Sequence, residues 1–291
     1  MTVTSELPAA SATHWVLTLA CPDRPGIVAT VATAIADLDG NITESQQFDD
    51  PVKKRFFMRV QFEASASREQ LLGALSSVAE QFTMDWHLDI VKRPVRTIIM
   101  ASKAAHCLND LLFRQHSNRL PIDVVAVVSN HRDLEHLAEF YDVPFHHVPV
   151  TPDTKVAAEA ELRKLIDELD TELVVLARYM QILSDSLCAD LAGRIINIHH
   201  SFLPSFKGAR PYHQAYDRGV KLIGATAHYV TADLDEGPII EQDVERVDHA
   251  HAVEEMVSLG EDVERRALAR AVQWHAEHRV LLDGHRTIVF R

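Results

Sequence analysis

From His14 onward the chain alternates between apolar runs and amphipathic stretches, and the two periodicities assign its elements. Trp15-Val16-Leu17-Thr18-Leu19-Ala20 reads as an extended, buried strand. Asp23-Arg24-Pro25-Gly26 then turns the chain into a helix whose apolar positions Ile27, Val31, Ala34, Ile35 and Leu38 fall on one helical stripe. Gly40-Asn41 stands where a C-terminal cap ends such a helix. Phe56 to Phe62 partly alternates, as a strand with one covered face does, Arg68 to Phe82 predicts a second helix, and Met84 to Val91 a closing strand. Strand, helix, strand, strand, helix, strand over residues 14–92 is the ferredoxin-like order.

Arg93-Pro94-Val95 reads as a linker, since the residue before a proline favours extended backbone. Beyond it, over residues 96–291, the pattern changes to a second, α/β domain. Thr97 to Met100, Val124 to Val128, Leu173 to Leu176 and Ile195-Ile196 are short apolar runs without alternation, hence strands buried on both faces of a mostly parallel, Rossmann-like sheet. Helical stretches lie between them, through Leu108 to Phe113, Lys155 to Leu169 and Asp185 to Leu191. His249 to His278 predicts a long helix, and Val280 to Phe290 a hairpin turning at Asp283-Gly284. Residues 1–13 read as a short disordered tail without basic residues or an apolar stretch, unlike a signal peptide.

The chemistry concentrates after the Ile195-Ile196 run. Asn197 and His199 are two apart, so period-two alternation aims both side chains to one side. Ligands of open α/β sheets bind beyond the carboxyl ends of the strands, where this pair belongs. An amide donor beside an imidazole suits the oxygen of a carbonyl that becomes a tetrahedral oxyanion. Asp235, before Glu236-Gly237-Pro238, sits in a turn able to present a carboxylate to that imidazole. Taken singly, Asn197 and His199 read more often as turn formers or satisfied surface groups, and Asp235 more often as only an acidic turn.

Composition narrows the class. The chain has 291 residues, 47% hydrophobic and 24% charged, and a formal net charge of −13. Such acidity argues against a nucleic-acid surface, which needs clustered Lys and Arg, and no apolar run reaches the length of a membrane span. Cys21, Cys107 and Cys188 are isolated, so neither a disulfide framework nor a zinc spacing follows, and a reducing cytoplasm is the expected compartment. The adjacent histidine pairs His146-His147 and His199-His200 lack helical metal-site spacing, and no metal is expected.

The block Asn197-Ile198-His199-His200-Ser201-Phe202-Leu203-Pro204, with His228 to Ile240 following, resembles the two catalytic segments of the folate-dependent formyltransferases. The resemblance implies Asn197, His199 and Asp235 as catalytic residues. It also implies a folate pocket of Arg178, Tyr179, Met180, Gln181, Ile182 and Leu183 on one side and Thr231, Leu234 and Gly237 on the other. Core packing is the competing reading for Tyr179, Met180 and Ile182, and His228 suits the site and a structural role equally. The first domain resembles an ACT domain. That implies pairing into a homo-oligomer, dimer or tetramer, and either pure assembly or a small amino-acid effector, glycine or methionine by analogy. Asp23, Arg24, Pro25, Gly26, Gly40 and Asn41 are the candidate effector site.

What attacks the formyl carbon is a separate question. The glycinamide ribonucleotide transformylases follow their first strand with a glycine-rich turn that cradles a phosphate. Here Ala101-Ser102-Lys103-Ala104-Ala105-His106 has no glycine. A nucleic-acid-binding C-terminal domain of the methionyl-tRNA transformylase kind is also missing from the pattern. Water is then the expected acceptor. The layout, together with the loop Lys207 to Tyr216, resembles the formyltetrahydrofolate deformylase family, which implies hydrolysis of 10-formyltetrahydrofolate, serving one-carbon balance and purine biosynthesis, with no cofactor beyond the folate substrate. A formyltransferase using an amine acceptor and a non-catalytic folate sensor are the alternatives.

Overall fold

The computed structural model describes residues 12–202 and 211–291. The chain divides into two compact units: residues up to Arg93 together with Phe290–Arg291, and Pro94–Val289.

The first unit runs β1 (Thr13–Pro22), α1 (Ile27–Ala36), β2 (Asn41–Asp50), β3 (Arg55–Ala64), α2 (Arg68–Phe82) and β4 (Asp85–Ile90), an antiparallel sheet in the order β2-β3-β1-β4. Of the expected tail, only Ala12 and Thr13 lie among the described residues, and Thr13 already belongs to β1. Trp15, Leu17 and Leu19 stand opposite Phe62, Val60 and Met58 on the face that α1 and α2 cover with Ile27, Val31, Ile35, Leu71, Leu75 and Phe82. α2 opens on a capping box: Gln70 N–H donates to Ser67 Oγ at 3.3 Å, and Ser67 N–H to Gln70 Oε1 at 2.8 Å. The end of α1 differs from expectation. The left-handed residue is Asp39 (φ 54°), not Gly40. Gly40 instead donates its N–H to Ile35 O at 3.0 Å, and a Cβ there would lie 2.8 Å from that oxygen, so close approach requires the glycine.

The second unit begins at β5 (Val95–Ala101), inside the stretch expected to be linker; buried Val95 already pairs with Ile122. It continues with α3 (His106–His116), β6 (Ile122–Ser129), α4 (Glu135–Phe140), β7 (Phe145–His147), α5 (Lys155–Glu168), β8 (Leu173–Leu176), α6 (Asp185–Asp190) and β9 (Ile195–His199). Then follow α7 (Pro211–Arg218), β10 (Leu222–Tyr229), β11 (Ile239–Arg246), α8 (Val253–Ala276) and the hairpin β12 (Val280–Asp283) and β13 (Arg286–Val289). The sheet order is β11-β10-β9-β8-β5-β6-β7, parallel from β9 to β7, with β10 and β11 antiparallel. The chain switches direction between β5 and β8, opening a crevice beyond their carboxyl ends. Both faces are apolar: Ile99, Val127, Val175, Ile196 and Ile198 pack with α3 and α8, and Ile98, Met100, Val128, Val174 and Ile195 with α5 and α6. Among the described residues no helix is long and apolar enough to cross a membrane.

Tyr229, 3% exposed, closes the α8 side of β10. Burial raises its phenol far above the ordinary value, so the hydroxyl stays protonated, and it is hydrogen-bonded to His275 Nδ1 at 2.7 Å. Burial, with His278 beside it, lowers the partly buried His275 from 6.5 to about 4. Between those values the unfolded chain takes up a proton that folded His275 refuses, so stability declines as pH falls from 6.5 towards 4. Denaturation midpoints measured across that window should fall less steeply in His275→Gln, by up to about 1.4 kcal/mol per pH unit; an unchanged slope would clear His275.

Candidate active site

β9 sorts its own side chains. Ile196 and Ile198 enter the core beneath α8, and the pleat sends Asn197 and His199 to the opposite face. β10 runs antiparallel beside it, setting His228 across from Asn197 and Thr226 across from His199. The loop after β10 folds back: Thr231 Oγ1 donates to Asp233 O at 3.1 Å, Glu236 N–H donates to the same oxygen at 3.2 Å, and Tyr229 N–H to Pro238 O at 2.9 Å. At its tip Asp235 takes a left-handed φ of 59° and sets Oδ1 3.2 Å from His199 Nδ1 and 3.8 Å from His228 Nε2.

The hydrogen bond from His199, with the neighbouring imidazoles, outweighs burial and holds Asp235 below its ordinary value. A carboxylate only accepts, so His199 Nδ1 carries the proton in that bond. His199 Nε2 is buried and has no hydrogen-bond partner among the described residues. His200 stacks on His199 with ring centres 5.0 Å apart, and burial, with Arg178 and His199 adding to it, pushes it down to about 4, so it is uncharged at neutral pH.

All three residues stand in one cavity of about 280 Å³. Arg178, Tyr179, Met180, Gln181, Ile182 and Leu183 line one wall, Thr231 and Leu234 the other. Met180, Ile182 and Leu234 are 60%, 63% and 58% exposed, which rules out core packing for Met180 and Ile182; Tyr179 does pack against the α5 core. Gly237 is not in the lining. A Cβ there would fall 1.8 Å from Tyr229 O, so its part is to let two backbone segments touch.

Sequence reading missed what holds this wall. Met180 N–H donates to Ser102 Oγ at 3.0 Å, and buried Ser102 in turn donates to Asn130 Oδ1 at 2.7 Å, tying the loop after β8 to the ends of β5 and β6. Arg178 sits at φ 62°, and its Nε lies 3.4 Å from Oε2 of Glu264, a carboxylate 1% exposed on α8. Glu264 also accepts from Tyr212 Oη and pairs with His106 Nε2, each at 2.8 Å. Burial alone would raise Glu264; the His106 hydrogen bond and the Arg178 charge overcome it and leave it lowered. Donor atoms of His106, Cys107 and Glu264 come within 4.8 Å of one another. Burial pushes the Cys107 thiol well above its ordinary value, and both oxygens of Glu264 already have partners in this ion-pair network.

The other expected residues scatter. Arg24 lies over the Phe82 ring at 4.9 Å and donates to Gln81 O at 2.6 Å, Asp23 N–H donates to Lys54 O at 3.0 Å, Pro25 is exposed, and Gly26 (φ 97°) precedes α1. Gly40 and Asn41 lie at the other end of that helix, ~15 Å away by its length. One chain therefore does not assemble the six into one site. Of the expected loop, Lys207 to Arg210 lie outside the described residues, as do Leu203 and Pro204, while Pro211 onward is helix α7 rather than loop.

Comparison with known proteins gives the same two parts. Residues 95–272 match the formyl transferase family, and residues 15–80 the ACT domain. A formyltetrahydrofolate deformylase of Corynebacterium sp. is 54% identical over 280 residues, 95% of this chain and 98% of that protein. The crystal structure of a formyltetrahydrofolate deformylase from Pseudomonas syringae pv. tomato superposes with a TM-score of 0.93 at 48% identity, covering 97% of this chain and 96% of that one. Glycinamide ribonucleotide transformylase 1 from Symbiobacterium toebii covers 70% of this chain, and 98% of its own, with a TM-score of 0.64 at 30% identity. An ACT domain followed by a formyl transferase domain, with high identity along nearly the whole length, makes this chain a member of the formyltetrahydrofolate deformylase family.

Proposed function

We propose that this chain hydrolyses 10-formyltetrahydrofolate to formate and tetrahydrofolate. The observation that carries the site assignment is the His199–Asp235 pair, 3.2 Å apart, in the same cavity as Asn197 and the loop Arg178–Leu183. Water oxygen bonds to the formyl carbon and gives up a proton to the His199–Asp235 pair as the carbonyl becomes an oxyanion; the oxyanion then collapses, the C–N bond breaks, and the departing nitrogen takes that proton. Asn197 donates to the oxyanion, and His199 is the second donor when protonated, or the proton shuttle. Asp235 orients His199 and positions the water. No protein group is acylated and no cofactor enters beyond the folate itself. The pterin lies between the loop Arg178–Leu183 and Thr231–Leu234, over the apolar side chains of Met180, Ile182 and Leu234.

Water rather than an amine is the acceptor. The turn after β5 lacks a glycine, and His106 at the start of α3 is committed to buried Glu264, so the specific backbone cradle for a phosphate is missing there; Lys103 still offers an anion an ammonium, while the Ser102 hydroxyl is given to Asn130. The ACT unit binds a small amino-acid effector and assembles the chain into a homo-oligomer. The separation of Asp23–Gly26 from Gly40–Asn41 within one chain supports a site completed between copies. Free, buried Cys21, Cys107 and Cys188 fit work in the reducing cytoplasm.

Pure protein given 10-formyltetrahydrofolate and no acceptor should release formate; release only on adding an amine overturns the hydrolase reading. Asp235→Asn should keep folate affinity while kcat drops by at least ~100-fold, the scale of removing one stabilising group, and near-normal turnover would remove Asp235 from the mechanism. Glu264→Ala leaves Arg178 and His106 without their buried counter-charge, and chemical denaturation should show a loss of roughly 3–5 kcal/mol.

A further inference from the structure

One buried imidazole in the cavity has no part in the steps above. His228 is 2% exposed and is the direct cross-strand partner of Asn197. The ladder between β10 and β11 breaks register between Ala227 and His228, a bulge of the kind that re-aims a side chain. His228 reaches a different kind of group with each ring nitrogen. Nδ1 lies 2.9 Å from Tyr229 O, and Nε2 lies 3.2 Å from Asn197 Nδ2.

A carbonyl oxygen only accepts, so Nδ1 must carry a hydrogen. Burial disfavours the charged ring and lowers His228, against the opposing pull of the Tyr229 carbonyl hydrogen bond and of Asp235, whose Oδ1 is 3.8 Å from Nε2; His199 acts with burial. The neutral ring then keeps a bare lone pair on Nε2, and a lone pair tolerates the amide nitrogen of Asn197 but not its oxygen. The carbonyl that sets this tautomer is itself fixed. Tyr229 N–H is bonded to Pro238 O, and Gly237 leaves the room in which Tyr229 O sits, since a Cβ would come within 1.8 Å of it.

We propose that His228 is a positioning residue: as the Nδ1–H tautomer it accepts one N–H of Asn197 and so determines which end of the amide, and which remaining N–H, meets the formyl oxygen. The proposal rests on Asn197 being the oxyanion donor. Without this ring the amide loses the acceptor that selects its orientation, and the flipped amide presents oxygen to a developing oxygen anion.

The test has an arm independent of activity. Long-range 1H–15N correlation spectra of the imidazoles, with His228 assigned by its loss in His228→Gln, should show a neutral Nδ1–H ring at pH 7; an Nε2–H or doubly protonated ring overturns the proposal whether or not the protein is a deformylase. In turnover, His228→Phe should lower kcat by about 10- to 100-fold, less than the ~100- to 1000-fold of losing a donor, with KM changed little. His228→Gln, which offers an acceptor oxygen near the old Nε2, should recover most of that loss. Placed on Asn197→Ala, His228→Phe should cost nothing further. An equal cost in that background, or wild-type kcat in folded His228→Phe, would show that His228 acts apart from Asn197.

Discussion

Everything at the site depends on the pleat of β9. Five residues in an inner strand must satisfy two cores, and alternation lets Ile196 and Ile198 do so on the α8 side while Asn197 and His199 emerge on the other. A one-residue slip would bury the amide and imidazole and expose two isoleucines. The ladders to β8 and β10 prevent that slip, and the β10 ladder also delivers His228 to Asn197. The geometry of the candidate site and core packing are therefore one constraint.

Charge around this strand is arranged in two clusters. Asp235 faces His199 from a loop tip, and Glu264 faces Arg178 and His106 from α8. Both Asp235 and Arg178 sit in left-handed backbone, which costs roughly 1–3 kcal/mol for a residue with a side chain and persists only where surroundings enforce it. In each case hydrogen bonds do the enforcing: the backbone bond from Tyr229 to Pro238 on one side, and on the other the chain from Met180 N–H through the Ser102 hydroxyl to the Asn130 side chain. His200 and His228, kept uncharged by burial, fill the remaining space without adding a competing positive charge.

The legible parts of the chain are those in which period and type agree locally. Apolar runs such as Val124 to Val128 and Leu173 to Leu176 announced inner strands, and the stripe from Ile27 to Ile35 announced α1. Polar β2 was harder to see because an edge strand has no apolar run to show, and β7 because three residues carry no period. The cap of α1 was misread because glycine serves close approach as well as positive φ, and only packing against Ile35 tells them apart. Gly237 was misplaced for the same reason.

By itself, the sequence determined a ferredoxin-like α+β unit followed by an α/β unit, the strand that carries Asn197 and His199, and the candidate carboxylate at Asp235, because pleat and turn chemistry are local and motif spacing is visible in one dimension. Tertiary structure decided which of these meet. His199 and Asp235 are brought together by a folded-back loop, His106 finds Glu264 across 158 residues, and Ser102 holds a loop 78 residues away. Such pairings leave no periodic trace, since a buried polar group is satisfied by whichever partner the fold delivers. The same holds for His228, whose sequence position suited the site and a structural role equally until a bulge and a neighbouring carbonyl chose its tautomer.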